Sequence, residues 1–240
     1  QQATHVVVPS KRIAESVRRH FGTPPEKVSV VPHGVDIAWA CSATQTQIAE
    51  VRDRYKLDGQ VILFVGSLSD RKNAITLVRA FAALPAKVRK ETHLLIVGPT
   101  GCDHKTIQEI ILSEAIGEQV HLVGYVNPSC LPAYFGVASM FAFPSLSESF
   151  GFPPLEAMAA GLPVLCSNAP NLPETVGKAA ILIPPLDVDE WTKAMQRVLT
   201  DHTLQAELRE RGKAHVRQFD WSVCATTMTQ ILRAAAADNG

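Results

Sequence analysis

Short, fully apolar runs recur along the chain, and each is followed by a loop containing glycine or proline and then by a helical pattern. Val61–Val65 has no polar residue and has the length of a strand, which is typical of a parallel strand buried on both faces. Strands alternating with helices at this spacing predict a parallel sheet with right-handed crossovers. The predicted strands are Val61–Val65, Thr92–Val97, Val120–Val123, Met140–Phe143, Val164–Cys166 and Ala180–Ile183. The pattern therefore predicts an α/β fold with a doubly wound, Rossmann-like parallel sheet.

The first 35 residues carry a smaller pattern of the same kind. Thr4–Val8 and Val28–Val31 are rich in β-branched residues and predict two short strands. Between them, Ser10 is suited to cap a helix that runs to about Phe21. This segment predicts one strand–helix–strand unit ahead of the main sheet.

The C-terminal part, from Val188 onward, has a helical pattern throughout. Gly212 is expected to weaken or end one of these helices, because glycine is unfavourable in a helix interior. The last helix is predicted over Cys224–Ala236, with either Asp220 or Ser222 as its N-terminal cap.

Two carboxylates flank the loop that follows the predicted strand Met140–Phe143. Glu148 lies in the loop, and Glu156 follows it with seven residues between the two. Pro154 suits the first position of a helix, which would put Glu156 in the first turn. Backbone N–H groups at a helix N-terminus favour anions such as phosphate, and carboxylates accept hydrogen bonds from vicinal hydroxyls. The loop therefore suggests sugar and phosphate binding, although either glutamate taken alone is more commonly a solvated residue or a partner of the helix dipole.

A second loop with binding chemistry follows the strand Val61–Val65. It begins at Gly66, contains the cations Arg71 and Lys72, and leads into a helix from about Ala74. A strand, a glycine loop with two cations and a helix N-terminus form a plausible diphosphate site. The residues that follow four of the predicted strands are Gly66, Gly98, Gly124 and Pro144. Because ligands of parallel sheets bind beyond the carboxyl ends of the strands, these loops are expected to line one crevice.

Charge and cysteine usage exclude several classes of protein. Twenty-three basic and twenty-three acidic residues leave no net charge, so nothing indicates a nucleic-acid or anionic membrane partner. The five cysteines are scattered without a Cys-x-x-Cys pair, which argues against a disulfide framework or a zinc site and favours a reducing cytoplasm. No Asp-x-Asp follows a strand to bind Mg²⁺, and neither a membrane-spanning run nor a signal peptide is recognisable. We expect a cytoplasmic protein without a metal.

The string from Pro144 to Val164 closely resembles the E-x7-E motif of the retaining nucleotide-sugar glycosyltransferases of family 4. Its matching parts are Pro144-Ser145, Glu148, Phe150-Gly151, Pro154-Leu155-Glu156-Ala157-Met158-Ala159, Gly161 and Pro163-Val164. Only Ser149 departs, where the family has a first glycine. In the preceding loops, Gly66 and Lys72 match family positions, whereas Ser67 stands where the family often has arginine and Arg71 is available as a second cation.

The resemblance implies the C-terminal half of a two-domain GT-B fold. Pro32-His33-Gly34-Val35-Asp36 resembles the segment where the first domain of the family passes into the second. Residues 1–35 would then be the tail of an N-terminal acceptor domain that is otherwise absent. Residues 36–218 would form the nucleotide-sugar donor-binding domain, and residues 219–240 a helix that crosses back to the first domain.

The resemblance also assigns roles to individual residues. It places Glu148 and the N–H groups of Phe150 and Gly151 against the hydroxyls of the transferred sugar, and Glu156 against the ribose. Tyr125 and Val126 resemble a segment that meets the nucleobase, although Tyr125 could equally be packing at a sheet edge. The implied catalytic residues are Glu148, Lys72 and Arg71, and the implied donor-binding residues are Gly66, Ser67, Tyr125, Val126, Ser149, Phe150, Gly151, Leu155 and Glu156.

The implied activity is retaining transfer of a hexose from a nucleoside diphosphate sugar to an acceptor hydroxyl. The resemblance favours GDP-mannose over a UDP-sugar, a sugar or lipid-linked glycan as acceptor in bacterial polysaccharide or glycolipid synthesis, and no metal or other cofactor. Contact with the inner face of a membrane would come from the absent domain, so this chain alone is expected to bind donor but barely turn it over. Two alternatives remain open: a nucleotide-sugar-binding module without transfer activity, and another GT-B enzyme such as a sugar-nucleotide epimerase or a phosphorylase.

Overall fold

Eight strands within residues 3–237, the part of the chain that the computed structural model describes, form two parallel sheets. They are β1 (Val6–Val8), β2 (Val28–Val30), β3 (Gln60–Val65), β4 (Thr92–Val97), β5 (Val120–Gly124), β6 (Met140–Phe143), β7 (Val164–Ser167) and β8 (Ala180–Ile183). The strands β1 and β2 pair with each other, and the other six form a sheet in the order β5-β4-β3-β6-β7-β8. Residues 1, 2 and 238–240, at the ends of the predicted outer segments 1–35 and 219–240, lie outside the described residues.

Helices connect the strands, and further helices follow the last strand, β8. They are α1 (Lys11–Phe21), α2 (Ile37–Ala40), α3 (Gln45–Tyr55), α4 (Ala74–Ala82), α5 (Ala86–Lys90), α6 (His104–Ser113), α7 (Leu131–Val137), α8 (Phe152–Ala159), α9 (Leu172–Val176), α10 (Val188–Thr200), α11 (His202–Val216) and α12 (Trp221–Ala237). Three short 3₁₀ turns cover Pro25–Lys27, Asp70–Lys72 and Pro128–Cys130. Within residues 3–237, none of these helices has the length and apolarity needed to cross a lipid bilayer.

The strand order confirms the predicted doubly wound parallel sheet and fixes where its crevice lies. From β3 the chain moves outward through β4 to β5, then returns to the centre at β6 and moves outward on the other side through β7 to β8. With right-handed crossovers, the two halves place their helices on opposite faces of the sheet. The switch point lies between β3 and β6, and ligands of such sheets bind outside the strand ends at that point. The loops after β3 and β6 are the two that contain the candidate binding residues, with Arg71 and Lys72 in the first and Glu148 in the second.

Aromatic side chains of the two central strands form the middle of the core. Phe64 on β3 and Phe141 and Phe143 on β6 are fully buried. The rings of Phe64 and Phe143 stack with their centroids 6.3 Å apart. Burial of a side chain of this size stabilises the fold by roughly 1.5–3 kcal/mol. The core therefore fixes the two strand ends from which the loops of the crevice emerge.

The N-terminal unit has a small core of its own. Val8, Ala14 and Val28 are buried together between α1 and the strands β1 and β2, apart from the main cluster. Ser10 caps α1 as predicted, because its hydroxyl accepts a hydrogen bond from Ile13 N at 3.2 Å. This unit lies against the main domain through contacts at the N-terminus of α1.

The start of α8 differs from the sequence-based prediction. The helix begins at Phe152, two residues before Pro154, and its first turn contains no acidic residue, so Glu156 lies in the second turn. The reason is Gly151, whose φ of 99° is in the left-handed region and lets the chain turn directly into the helix. A proline is tolerated throughout the first turn, where its missing N–H would have no partner.

Two C-terminal predictions are also corrected. The helix α11 does not end at Gly212 but continues to Val216. A Cβ at position 212 would lie 3.2 Å from Met158 Cγ, so a larger residue would crowd the contact with α8. Glycine here permits α11 to pack closely on α8, the helix that carries Glu156. The last helix starts at Trp221, and Asp220 is its cap, with its carboxylate accepting from Ser222 N at 2.7 Å.

Candidate functional site

Glu148 forms ion pairs with two cations from the loop after β3. Its Oε1 lies 2.6 Å from Lys72 Nζ, and its Oε2 lies 2.9 Å from Arg71 Nη1. The Ser145 hydroxyl, 2.7 Å from Oε1, donates to the same carboxylate. Glu148 is 9% exposed, and a carboxylate removed from water needs such partners because an unpaired buried charge is strongly unfavourable. The three residues predicted as catalytic therefore meet at the switch point of the sheet.

Backbone contacts fix the loop after β3 against the loop after β6. Leu146 N donates to Arg71 O at 2.8 Å, and the buried Asn73 amide donates to Pro144 O at 3.0 Å. Asn73 has a φ of 55°, a left-handed conformation that asparagine tolerates better than most residues. These contacts hold the backbones of the two loops together and so keep Arg71 and Lys72 close to Glu148.

Both cations retain hydrogen-bond donors that Glu148 does not use. The Lys72 ammonium has three N–H groups, and within residues 3–237 its only hydrogen-bond acceptor is Glu148. Lys72 Nζ also lies 4.8 Å from the centroid of the Phe143 ring, a distance at which a ring face attracts a cation. Arg71 contacts Glu148 and Ser147 O through Nη1, which leaves Nη2 and Nε available. The pair can bind a further anion without giving up Glu148.

The segment from Ser149 to Gly151 presents backbone donors. Phe150 is 3% exposed, and its carbonyl accepts a hydrogen bond from the Thr175 hydroxyl. At Gly151 a Cβ would lie 2.7 Å from Leu172 Cδ2, so only glycine fits without movement. Among the described residues, the amides of positions 149–151 have no acceptor. Successive unpaired amides at the carboxyl end of a parallel strand form a site for anions or sugar oxygens.

The amides of α8 itself contribute less than sequence alone suggests. Positions two and three of the helix are Pro153 and Pro154, neither of which has an N–H group. Of the first three helical residues only Phe152 can donate. The anion-binding donors of this strand end are therefore the loop amides before the helix and the N–H of Phe152.

Glu156 is a half-buried carboxyl without a compensating charge. Burial raises the pKa of Glu156 to about 7, because removal from water disfavours the ionised form. No side-chain hydrogen bond or ion pair of Glu156 is present among residues 3–237. Leu155, the preceding residue, is fully buried and fixes this turn of α8 against the core. Near pH 7 such a carboxyl is partly neutral and partly ionised. A ligand hydroxyl that donates a hydrogen bond to it would favour the ionised form.

Gly66 and Ser67 lie beside the cations of the crevice. A Cβ at Gly66 would lie 3.4 Å from Lys72 Cδ and 3.1 Å from Phe64 Cζ, so the glycine leaves room for the lysine stem. Gly98 packs on Gly66 O with a φ of 147°, which keeps the ends of β3 and β4 close. The Ser67 hydroxyl lies 3.3 Å from Ser69 Oγ and lines the same loop.

Tyr125 and Val126 follow β5 at the far side of the sheet. The Tyr125 side chain is 72% exposed, so packing at the sheet edge does not account for it. Val126 is half-buried and packs against the main core. An exposed aromatic ring beyond a strand end is free to stack on a planar ligand group.

Asn171 connects the Glu148 loop to α1 and was not identified from the sequence. Its amide donates to Glu148 O, and its Oδ1 accepts from the Ser10 hydroxyl at 2.9 Å. Glu174, in the first turn of α9, accepts from Lys11 N at 2.9 Å. Asn171 has a φ of 73° and is 7% exposed. A buried, left-handed asparagine is a signal that only the structure reveals, since its sequence context is an ordinary turn.

Replacing Asn171 with glycine is expected to lower the free energy of unfolding by about 1–3 kcal/mol, since two buried hydrogen bonds are lost. The sugar-nucleotide binding that the sequence resemblance predicts is expected to weaken about tenfold. Glycine accepts the same positive φ, so backbone strain does not contribute. Calorimetric titration and urea unfolding measure the two effects. The matched control is Asn168→Gly, an exposed residue of the same loop. Unchanged binding in Asn171→Gly would show that the position of the Glu148 loop does not depend on this amide.

A group of possible metal ligands includes Asp70, the first residue of the 3₁₀ turn that carries the cations. Within residues 3–237, Asp70, Cys102 and Asp103 place one ligand atom each within 4.8 Å of one another. The Cys102 thiol lies 3.4 Å from Asp70 Oδ1 and 3.6 Å from Asp103 Oδ1. Burial raises the pKa of Asp103, and the neighbouring Asp70 raises it further. A proton shared between the two carboxyls satisfies this geometry as well as a cation would.

Two family profiles match the chain. The profile described as "Glycosyl transferases group 1" matches residues 47–215, and the one described as "Glycosyltransferase Family 4" matches residues 1–39. Among curated proteins, the chain is 33% identical over 193 residues to the O-antigen chain mannosyltransferase B of Escherichia coli, covering 78% of this chain and 51% of that protein. It is 30% identical to the D-inositol 3-phosphate glycosyltransferase of Salinispora tropica, covering 99% of this chain and 52% of that protein. The chain thus spans about half the length of these relatives.

Solved structures share the fold. The sucrose-phosphate synthase of Thermosynechococcus elongatus is 28% identical, with a TM-score of 0.83 that covers 97% of this chain and 58% of that one. Anabaena HepE, solved in complex with UDP and glucose, is 21% identical, with a TM-score of 0.87 that covers 96% of this chain and 63% of that one. At that identity the second likeness concerns the fold alone.

Proposed function

The chain belongs to the group 1 glycosyl transferases, and from that premise we propose that it binds a nucleoside diphosphate sugar in the crevice between the loops after β3 and β6. Bound there, the sugar would be transferred as a hexose to an acceptor hydroxyl, with retention at the anomeric carbon. The observation that carries the proposal is the cluster of Glu148, Lys72 and Arg71, in which two cations with unused donors face a buried carboxylate.

The chemistry of the proposed reaction is departure of the diphosphate. Negative charge grows on the leaving phosphate as the glycosidic bond breaks, and preorganised cations and amides aimed at that charge lower the barrier. Lys72 and Arg71 supply the positive charge, so the proposed reaction needs no metal or other cofactor. Gly66 and Ser67 line the same diphosphate subsite.

Glu148 acts in this proposal as a sugar-binding and positioning group, not as a nucleophile. One of its oxygens is engaged by Lys72 and Ser145 and the other by Arg71. A carboxylate with both oxygens in charge-assisted bonds is a weak nucleophile. The sugar hydroxyls would meet Glu148 and the free amides of positions 149–151.

The nucleoside would lie along the opposite half of the crevice. The Glu156 carboxyl, with no partner within residues 3–237, would accept hydrogen bonds from the ribose diol. Tyr125 offers an exposed ring to the base, and the backbone of Val126 offers hydrogen-bonding groups beside it. In this proposal the diphosphate would lie between two carboxylates, each of which would bind one sugar.

The proposed donor is GDP-mannose, and the proposed acceptor is a sugar or lipid-linked glycan in bacterial polysaccharide synthesis. Support comes from the similarity to an O-antigen chain mannosyltransferase of Escherichia coli. Because the chain spans about half of that relative, acceptor groups outside these residues would complete the enzyme. A nucleotide-sugar-binding module without transfer activity is the second candidate, since every residue assigned above binds donor, and an assay for transfer separates the two.

Calorimetric titration of the chain with GDP-mannose, UDP-glucose and ADP-glucose tests the proposal. We expect one of them, GDP-mannose first, to bind with a dissociation constant between about 1 μM and 1 mM, the usual range for enzyme substrates. Absence of binding by all three would overturn the donor site. Preference for UDP-glucose would leave the site standing and replace mannose as the proposed sugar.

Retention and transfer need a second measurement. The anomeric one-bond carbon–proton coupling, read by NMR in donor and product, reports the configuration before and after transfer. Product with the donor's configuration supports retention, and inverted product contradicts it. The assay uses a protein in which this chain is part of the complete two-domain fold, incubated with donor and a sugar acceptor. Donor binding without any product in that assay would favour the binding module.

A further inference from the structure

The group formed by Asp70, Cys102 and Asp103 joins two loops at the carboxyl ends of neighbouring strands. Asp70 lies in the loop after β3, in the 3₁₀ turn that also carries both cations of the proposed donor site. Cys102 and Asp103 lie in the loop after β4, and β4 pairs with β3 in the sheet. A ligand held by all three side chains would therefore connect the cation loop to its neighbour.

Backbone contacts hold these two loops in a fixed relation. Leu68 N donates to Pro99 O at 3.1 Å, and Asp103 N donates to Leu68 O at 3.2 Å. A Cβ at Gly101 would clash with Leu68 O, so the glycine is what allows the loop after β4 to approach so closely. The fold thus brings the three side chains together before any ligand binds.

The sulfur of Cys102 lies between two carboxylates at the distances that a shared metal ion gives. Sγ is 3.4 Å from Asp70 Oδ1 and 3.6 Å from Asp103 Oδ1. A tetrahedral zinc ion, with Zn–S of about 2.3 Å and Zn–O of about 2.0–2.2 Å, puts sulfur and oxygen about 3.5–3.7 Å apart. Ligand atoms from all three residues lie within 4.8 Å of one another. They can form one face of a tetrahedral site, with a water molecule as the fourth ligand.

Asp103 has a buried oxygen that nothing in the described structure satisfies. The residue is 4% exposed, and within residues 3–237 its Oδ2 has no hydrogen-bond partner. A buried carboxylate oxygen without a partner is unfavourable. The Cys102 thiol has a single proton and cannot donate to Asp70 and Asp103 together. A proton shared between the carboxyls pairs those two groups alone, whereas a divalent cation would bind both carboxylates and the sulfur at once.

The ligand set favours Zn²⁺ among the common divalent cations. Thiolate sulfur selects Zn²⁺ over Mg²⁺ and Ca²⁺, which prefer oxygen ligands. Asp70 and Cys102 are exposed whereas Asp103 is buried, so the ion has a path from solvent on one side. The sequence contains no pattern for such a site, because Asp70 and Cys102 are 32 positions apart and the chain has no Cys-x-x-Cys pair.

We propose that Asp70, Cys102 and Asp103 bind Zn²⁺, and that the ion fixes the 3₁₀ turn of the cation loop against the loop after β4. The thiol releases its proton to solvent when the sulfur binds the ion. The ion is structural and takes no part in the proposed sugar transfer. The inference stands apart from the proposed function, because metal binding is measured without any sugar nucleotide.

Titration of the untagged, reduced chain with Co²⁺, a spectroscopic substitute for Zn²⁺, tests for the thiolate ligand. We expect a sulfur-to-cobalt charge-transfer band in the near ultraviolet that Zn²⁺ abolishes and Mg²⁺ does not. Cys102→Ser is expected to remove the band, and Asp103→Asn to weaken Zn²⁺ binding at least about 100-fold, since even residues behind a metal ligand contribute about 10–100-fold. The matched controls are Cys130→Ser, at another exposed cysteine, and Asp53→Asn, at an exposed aspartate.

The absence of a charge-transfer band, or a band that survives in Cys102→Ser, would overturn the metal site and leave a proton shared by the two carboxyls as the explanation of the group. Wild-type Zn²⁺ affinity in Asp103→Asn would overturn it as well. Weakening of the same size in Asp53→Asn would indicate adventitious binding at surface carboxylates and would also contradict the proposal.

Hydrogen exchange tests whether the ion fixes the turn. The amides of Leu68, Lys72 and Asn73 are hydrogen-bonded within or beside it. With Zn²⁺ at about ten times its dissociation constant, we expect these amides to exchange about tenfold more slowly in the wild-type chain. In Cys102→Ser the ion is expected to leave their exchange unchanged. Exchange that Zn²⁺ does not slow in the wild-type chain would contradict the structural role of the ion.

Discussion

Replacing Lys72 with methionine is expected to weaken binding of the sugar nucleotide by at least about 100-fold, since charge-assisted hydrogen bonds contribute roughly 1.5–3 kcal/mol each. The lysine has two unused N–H groups and is fixed over the Phe143 ring, so it can meet the diphosphate without reorganising. Methionine preserves most of the side-chain volume and removes only the charge. Calorimetric titration against the wild-type chain measures the effect.

A stability measurement separates lost binding from lost folding. Without Lys72, the buried Glu148 retains only the half-exposed Arg71 as a charged partner, beside the neutral Ser145 hydroxyl, and we expect the free energy of unfolding to fall by about 3 kcal/mol. The double variant Lys72→Met/Glu148→Gln is expected to recover that stability, because no uncompensated charge remains, but not the binding. Lys178→Met, at an exposed lysine on the surface, serves as the control. Wild-type affinity in Lys72→Met would exclude this lysine from the diphosphate subsite.

Sugar-nucleotide affinity is expected to rise by up to about tenfold between pH 6 and pH 8, and Glu156→Gln is expected to abolish that rise. With a pKa of about 7, the free carboxyl changes from mostly neutral to mostly ionised across this range. The ionised form accepts stronger hydrogen bonds from the ribose diol. The diphosphate of a sugar nucleotide stays ionised throughout, so it adds no pH dependence of its own.

Glu156→Gln is also expected to stabilise the fold at high pH, where it weakens nucleotide binding. A carboxyl whose pKa is raised from 4.5 to about 7 binds more protons in the folded state, so its cost to stability is absent below the unfolded pKa and complete above the folded one. Glu156→Gln is therefore expected to raise the free energy of unfolding by up to about 3 kcal/mol at pH 8, and by little at pH 4. Glu114→Gln, at an exposed glutamate, provides the control. A pH-dependent affinity that survives in Glu156→Gln would assign the titration to another group.

The sheet was predictable because its strands are buried on both faces and therefore read as uninterrupted apolar runs. Thr92–Val97, Met140–Phe143 and Ala180–Ile183 have the predicted bounds. Helix boundaries were less predictable, as at α8, where a left-handed Gly151 starts the helix before the two prolines. Gly212 was misjudged because its role is close packing against Met158, a residue distant in sequence.

The sequence predicts which residues lie near one another in the candidate site, but not the contacts that they make. Sequence placed Lys72 and Glu148 at the ends of two different strands, and the strand order brings those ends side by side. Their ion pair joins residues 76 positions apart, and no local pattern encodes such a pair. Asn73 and Asn171 were not predicted from the sequence. Each has a positive φ and a side-chain amide that donates a buried hydrogen bond, and the neighbouring residues in the sequence indicate neither feature.

The central claim is that the loops after β3 and β6 bind the diphosphate of a sugar nucleotide. A crystal structure of the chain with GDP-mannose, or with whichever donor binds in the titrations, tests it most directly. We predict diphosphate oxygens within hydrogen-bond distance of Lys72 Nζ and Arg71, with Glu148 against the hexose and Glu156 against the ribose. A nucleotide bound elsewhere, or bound in the crevice with its diphosphate away from Lys72, would contradict the account.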